Sequence, residues 1–131
     1  MVPTLSVNQL LVVDDEASIR QMLRVVFERQ GYEVLEAASA AEAVQIFQKH
    51  QSSIAIVLTD VMMPEMNGPE LVHQLLKLRP GVPTLFISGF CDTLQHSMQG
   101  FECLPKPFTA SEVVNKVQSM LHASNGSLAS T

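Results

Sequence analysis

The sequence predicts an α/β fold: a single doubly wound five-stranded parallel sheet with helices on both faces. Two observations predict it. Short apolar runs alternate with helical patterns about five times along the 131 residues. Three of the runs, QLLVV at 9–13, IAIVLT at 54–59 and VPTLFIS at 82–88, are almost purely apolar. Such runs are what a parallel sheet covered by helices on both sides requires.

The elements follow in order. Gln9–Val13 is a β-rich run that stops at Asp14-Asp15-Glu16. Over 17–30 the apolar residues Ile19, Met22, Leu23, Val26 and Phe27 fall on one helical stripe, and Gly31 is a suitable residue just past the helix end. Tyr32–Ala37 alternates like a strand. Ser39 to Glu42 is a capping-box pattern opening a helix over 40–50. The third strand, 54–59, runs directly into Asp60. Gly68 to Leu78 reads as a helix ended by Arg79-Pro80-Gly81. After the fourth strand, the segment 89–100 offers only Leu94 and Met98 for burial, so the fourth helix is expected to be short or irregular. Phe101–Leu104 is a short fifth strand, and the Thr109–Glu112 capping box opens a last helix ending near His122. The domain is thus expected over 8–122, with flexible termini at 1–7 and 123–131.

Composition narrows the functional classes. Apolar residues make up 47% of the chain and the net charge is −5, which argues against a general nucleic-acid binder but suits an acidic cation site. No apolar run approaches the length of a membrane span, and the N-terminus lacks the regions of a signal peptide. Cys91 and Cys103 do not form a disulfide framework by number or spacing, so a cytoplasmic location with both thiols reduced is expected, each acting as a small buried hydrophobe.

Chemistry-bearing residues collect at the carboxyl ends of the strands, where open α/β sheets bind ligands. Asp14 and Asp15 follow the first strand, Asp60 the third, Ser88 ends the fourth and Lys106 follows the fifth. With the flavodoxin-like strand order 2-1-3-4-5, these five side chains converge on one pocket. Three carboxylates at close range need a countercharge, and Mg²⁺ with its preference for oxygen ligands supplies one. No cysteine or histidine lies at these strand ends, which argues against zinc.

The segments LLVVDDE at 10–16, LTDVMMPEMNG at 58–68, FISG at 86–89 and LPKPF at 104–108 resemble the receiver domain of two-component response regulators, above all receivers of hybrid sensor histidine kinases. The resemblance implies a phosphoacceptor domain that takes a phosphoryl group from a kinase phosphohistidine onto Asp60 in a Mg²⁺-dependent reaction. It implies Asp14, Asp15, Asp60 and the backbone carbonyl of Met62 as metal ligands, Lys106 as partner of the phosphoryl group and Ser88 as its hydrogen-bonding hydroxyl. A histidine kinase or a phosphotransfer domain is the implied partner, with a kinase or output protein either attached or separate.

Two features depart from the family pattern. Cys103 stands where an aromatic switch residue usually precedes the lysine, and Ser88 and Lys106 are only 18 positions apart. Both place the Ser88–aromatic switch in question. Met62 and Phe90, large and apolar beside the expected acyl phosphate, imply slow self-dephosphorylation. Two competing readings remain: a receiver-like binding module without phosphorylation, and a Mg²⁺-dependent aspartyl phosphohydrolase. The latter would need an acid at the position Met62 occupies.

Overall fold

The computed structural model describes residues 8–63, 67–89, 91 and 101–129, with side chains described as far as residue 122. Five strands, β1 (Gln9–Val13), β2 (Glu33–Ala37), β3 (Ile54–Asp60), β4 (Thr84–Ser88) and β5 (Glu102–Pro105), form one sheet in the order β2-β1-β3-β4-β5. Every pairing is parallel. The described helices are α1 (Ala17–Glu28), α2 (Ala40–His50), α3 (Gly68–Leu78) and α4 (Ala110–Ala129). The doubly wound α/β architecture read from the sequence is the one observed.

Helices cover both faces because the central strands are apolar on both. On one side Leu10, Val12, Ile56, Leu58, Leu85 and Ile87 pack against Leu23 and Phe27 of α1 and Val113 and Val117 of α4. On the other, Leu11, Val13 and Val57 meet Phe47 of α2 and Leu71 and Leu75 of α3. Successive strand residues point to opposite faces, so each core takes alternate positions. A register irregularity between Gln9 and Leu10 pairs Leu10 with Ile56 rather than Ala55. It sends Ile54 to the second core, while Ile56 and Leu58 remain in the first. Asp14 and Asp60 continue the even-numbered rows Leu10-Val12 and Ile56-Leu58.

The helix starts follow their caps. Ser39 Oγ accepts from the Glu42 amide at 3.2 Å. Asn67 and Glu70 form a reciprocal capping box at α3, as do Thr109 and Glu112 at α4. Gly31 takes φ +94°, a backbone conformation that side-chain-bearing residues rarely adopt, and so lets the chain leave α1. At the other end of α3, the Arg79 guanidinium donates to the carbonyls of Gln51 and Ile54, tying this helix end to the start of β3.

Several boundaries differ from expectation. β4 begins at Thr84, because the Val82 amide is turned back to the Arg79 carbonyl and Pro83 has no amide to donate to a ladder. α4 continues to Ala129, seven residues past the expected end, through a stretch in which Leu128 is the one large apolar residue and the burial signal is weak. The expected short helix over 89–100 falls almost wholly outside the described residues, as does Phe90.

The cysteines require a correction. Cys91 and Cys103 are joined by a disulfide, with Cα atoms 5.7 Å apart. Both are half-buried rather than buried. The expectation of two reduced, core-like thiols does not hold, because the fold pairs them in a way their spacing does not announce. Cys103 lies opposite Phe86 in the β4–β5 ladder, and the turn after Ser88 brings Cys91 alongside.

Candidate functional site

The site lies at the carboxyl ends of β1, β3, β4 and β5. β1 delivers Asp14, whose amide donates to the Ala37 carbonyl at 3.1 Å and whose Oδ1 accepts from the Glu16 amide at 2.8 Å. These bonds fix the carboxylate at the mouth of the sheet, and the residue is only 1% exposed. Burial raises its pKa above the ordinary carboxylate value. The Glu16 amide and the Lys106 charge oppose that rise, and Asp60 and Asp15 add to it. Asp15, next along the chain, is exposed.

β3 delivers Asp60, half-buried at the end of its apolar run. Its Oδ1 accepts from the Met62 amide at 3.3 Å. Behind it, the start of α3 approaches so closely that a Cβ on Gly68 would stand 2.4 Å from the Asp60 carbonyl oxygen and 3.1 Å from Phe86 Cε1. Gly68 also donates its amide to the Val61 carbonyl at 2.7 Å. The turn after Asp60 is therefore held on both sides.

Lys106 joins the two acids. Its Nζ lies 3.5 Å from Oδ2 of Asp14 and 3.5 Å from Oδ2 of Asp60. Its amide donates to the Ser88 carbonyl at 2.9 Å, which ties the end of β4 to the residues after β5. Ser88 is itself buried. The Lys106–Pro107 peptide is cis.

Asp14, Asp15 and Asp60 each offer one oxygen within 4.8 Å of the others. Among the described residues Asp14 Oδ2 is buried and accepts no hydrogen bond, and the Lys106 amine stands 3.5 Å from it. Clustered anionic oxygens with one orphaned and buried fit a hard divalent cation. Of the six residues singled out from the sequence, Asp14, Asp15, Asp60 and Lys106 are brought together by their side chains. Ser88 joins through its backbone bond to Lys106, and Met62 through its amide, while its own side chain is 65% exposed.

Arg20 also serves the site, with no local signal in the sequence to mark it. Its guanidinium donates to the Asp14 carbonyl at 2.7 Å and pairs with Glu36 at 3.2 Å, so α1 and β2 together support the acidic turn. Its partners lie 6 and 16 positions away, outside any local pattern.

An acid cluster and a lysine thus meet at the carboxyl ends of a parallel sheet of order β2-β1-β3-β4-β5. Residues 10–118 match the model of the response regulator receiver domain, and the chain belongs to that family. It is therefore a receiver domain of two-component signalling. Over 116 residues it is 36% identical to the sensor kinase CckA of Brucella abortus, covering 86% of this chain and 12% of the kinase. It is 31% identical over 121 residues to the CpxR homolog of Haemophilus influenzae, a transcriptional regulatory protein, covering 89% of this chain and 52% of that one. The chain thus spans from about an eighth to about half of these relatives.

Among solved structures, the receiver domain of the hybrid histidine kinase CckA superposes with a TM-score of 0.76 at 32% identity, over 86% of this chain and 98% of that one. The CheX–CheY–BeF3–Mg²⁺ complex of Borrelia burgdorferi matches at 0.78 and 26% identity, over 85% of this chain and 87% of that one. Among the described residues no helix is long and apolar enough to cross a membrane.

Proposed function

We propose that this receiver takes a phosphoryl group from the phosphohistidine of a histidine kinase or phosphotransfer domain onto Asp60. The observation that carries the reading is the Lys106 amine, equidistant from Asp60 and Asp14 at 3.5 Å inside the three-acid cluster. A carboxylate oxygen of Asp60 attacks phosphorus, the phosphorus–nitrogen bond breaks, and the imidazole leaves to take a proton from solvent. The product is an acyl phosphate. Lys106 offers fixed positive charge to the phosphoryl oxygens, and Ser88, at the end of β4, is the hydroxyl assigned to receive one of them. Asp14, Asp15, Asp60 and the Met62 carbonyl would hold Mg²⁺, which when bound neutralises charge that builds on the transferred group. The CheX–CheY complex of Borrelia burgdorferi, which contains BeF3 and Mg²⁺, is consistent with such a site. The domain would relay its state by conformational change in the cytoplasm, attached to a kinase or acting on a separate output protein.

Incubation with acetyl phosphate and Mg²⁺, followed by intact mass, tests the reading. One stable phosphoryl group per chain, absent from Asp60→Asn and from samples with excess EDTA, is the expected result. Continuous turnover would point to a phosphohydrolase instead, and no mass gain to a binding module.

A further inference from the structure

The Cys91–Cys103 bridge links the residues just after β4, which ends in Ser88, to β5, which runs on to Lys106. Cys91 lies three residues after Ser88, and its Sγ is 3.6 Å from the Ser88 carbonyl oxygen, the atom that accepts the Lys106 amide. Cys103 lies three residues before Lys106 and pairs with Phe86 across β4 and β5. It also packs against the small cluster of Val72 and Phe86, where Phe101 meets Phe86 edge-on at 5.7 Å. The bridge and the Lys106–Ser88 backbone bond thus brace the same corner of the sheet. Both cysteines are partly exposed, within reach of a small thiol or disulfide.

We propose that Cys91 and Cys103 form a reversible thiol–disulfide pair whose oxidation restrains the Ser88–Lys106 corner and weakens phosphoryl binding at Asp60. The coupling half of this proposal rests on Asp60 being the phosphoacceptor; the redox pair does not. The oxidant is a low-molecular-weight disulfide of the glutathione class. One cysteine thiolate attacks a sulfur of that disulfide and expels one glutathione thiolate. The second cysteine thiolate attacks the protein sulfur of the mixed disulfide and expels the other. Two protein thiols are oxidised, one small disulfide is reduced to two thiols, and the two protons pass to the departing thiolates.

The direction of coupling follows from distance. The Lys106 amine already stands 3.5 Å from the Asp60 carboxylate. A phosphoryl group on Asp60 brings three further oxygens between them, so the Lys106 end of the sheet has to readjust to seat it. A cross-link three residues upstream, anchored beside Ser88, opposes that readjustment. By reciprocity, a phosphoryl mimic makes the disulfide easier to reduce.

The test uses the full chain in glutathione buffers of graded redox ratio. Thiols are counted by N-ethylmaleimide labelling and intact mass, and affinity for beryllofluoride with Mg²⁺ is measured by calorimetry. The expected result is all-or-none labelling, two thiols reduced and none oxidised, with beryllofluoride bound about 5-fold or more weakly by the oxidised form. The double variant C91S/C103S should bind with one affinity in every buffer. Two reactive thiols at all ratios, a persistent glutathione adduct on one cysteine, or equal affinities in both forms would overturn the proposal. Failure of the wild type and the double variant to bind beryllofluoride in any buffer would instead defeat the phosphoacceptor reading, and the coupling with it. The thiol count would still decide the redox pair.

Discussion

The Lys106 amine lies 3.5 Å from the Asp60 carboxylate and at the same distance from that of Asp14. One cation therefore partly neutralises two acids that a metal would also bind. Replacing it should separate two properties. Lys106→Met removes positive charge from beside the cluster, so Mg²⁺ should bind roughly 3–10-fold more tightly, while beryllofluoride binding falls at least as far. Calorimetric titration with each ligand measures both; a parallel loss of the two would contradict this account of Lys106.

Asp14 carries the cost of burial without full compensation, as its raised pKa records. Asp14→Asn keeps an oxygen for the Glu16 amide but removes the buried charge. In EDTA the variant should be as stable as the wild type or more stable, by up to about 2 kcal/mol. In millimolar Mg²⁺ the order should reverse, because only the wild type gains from the metal. Thermal unfolding with and without Mg²⁺ shows whether the curves cross.

Gly68 sits where even a methyl group has no room, 2.4 Å from the Asp60 carbonyl oxygen. Gly68→Ala must push the start of α3 away from the turn after Asp60. A stability loss of about 1–3 kcal/mol in chemical denaturation is expected. Phosphoryl uptake should slow in proportion to the displacement of the Asp60 backbone. An unchanged midpoint would mean that the contact relaxes freely.

Met62 presents a flexible apolar side chain two residues after Asp60, largely in solvent. It can neither orient nor activate a water molecule. The phosphorylated domain should therefore lose its phosphoryl group slowly, and Met62→Asn should speed the loss by about 10-fold, less than a fully positioned acid or base supplies. Decay followed by intact mass after removal of acetyl phosphate provides the check. A wild-type half-life of seconds would be incompatible with it.

Much of this was legible in the sequence because it is local or periodic. The apolar runs at 9–13 and 54–59 fixed the two central strands, and the residues that ended them were the acids of the site. Caps such as Ser39–Glu42 and Thr109–Glu112 are short-range patterns of the same kind. What stayed hidden depends on residues far apart. Arg20 reaches Glu36 only after α1 packs beside β2, and Arg79 reaches the start of β3 only when α3 has docked. The Cys91–Cys103 bridge depends on the close passage of β4 and β5, which no count of cysteines conveys.

The alternation of β3 between the two cores has a further consequence. Asp60 faces the pocket because it stands two and four residues beyond Leu58 and Ile56, which face the core beneath α1 and α4. Deleting a single residue between Ile56 and Asp60 would leave a strand still apolar enough to be buried, yet it would aim the carboxylate at the opposite side of the sheet. In this stretch, length changes in steps of two keep the residue at position 60 facing the acid cluster where a step of one does not, so the site depends on parity within one strand as well as on the presence of an aspartate.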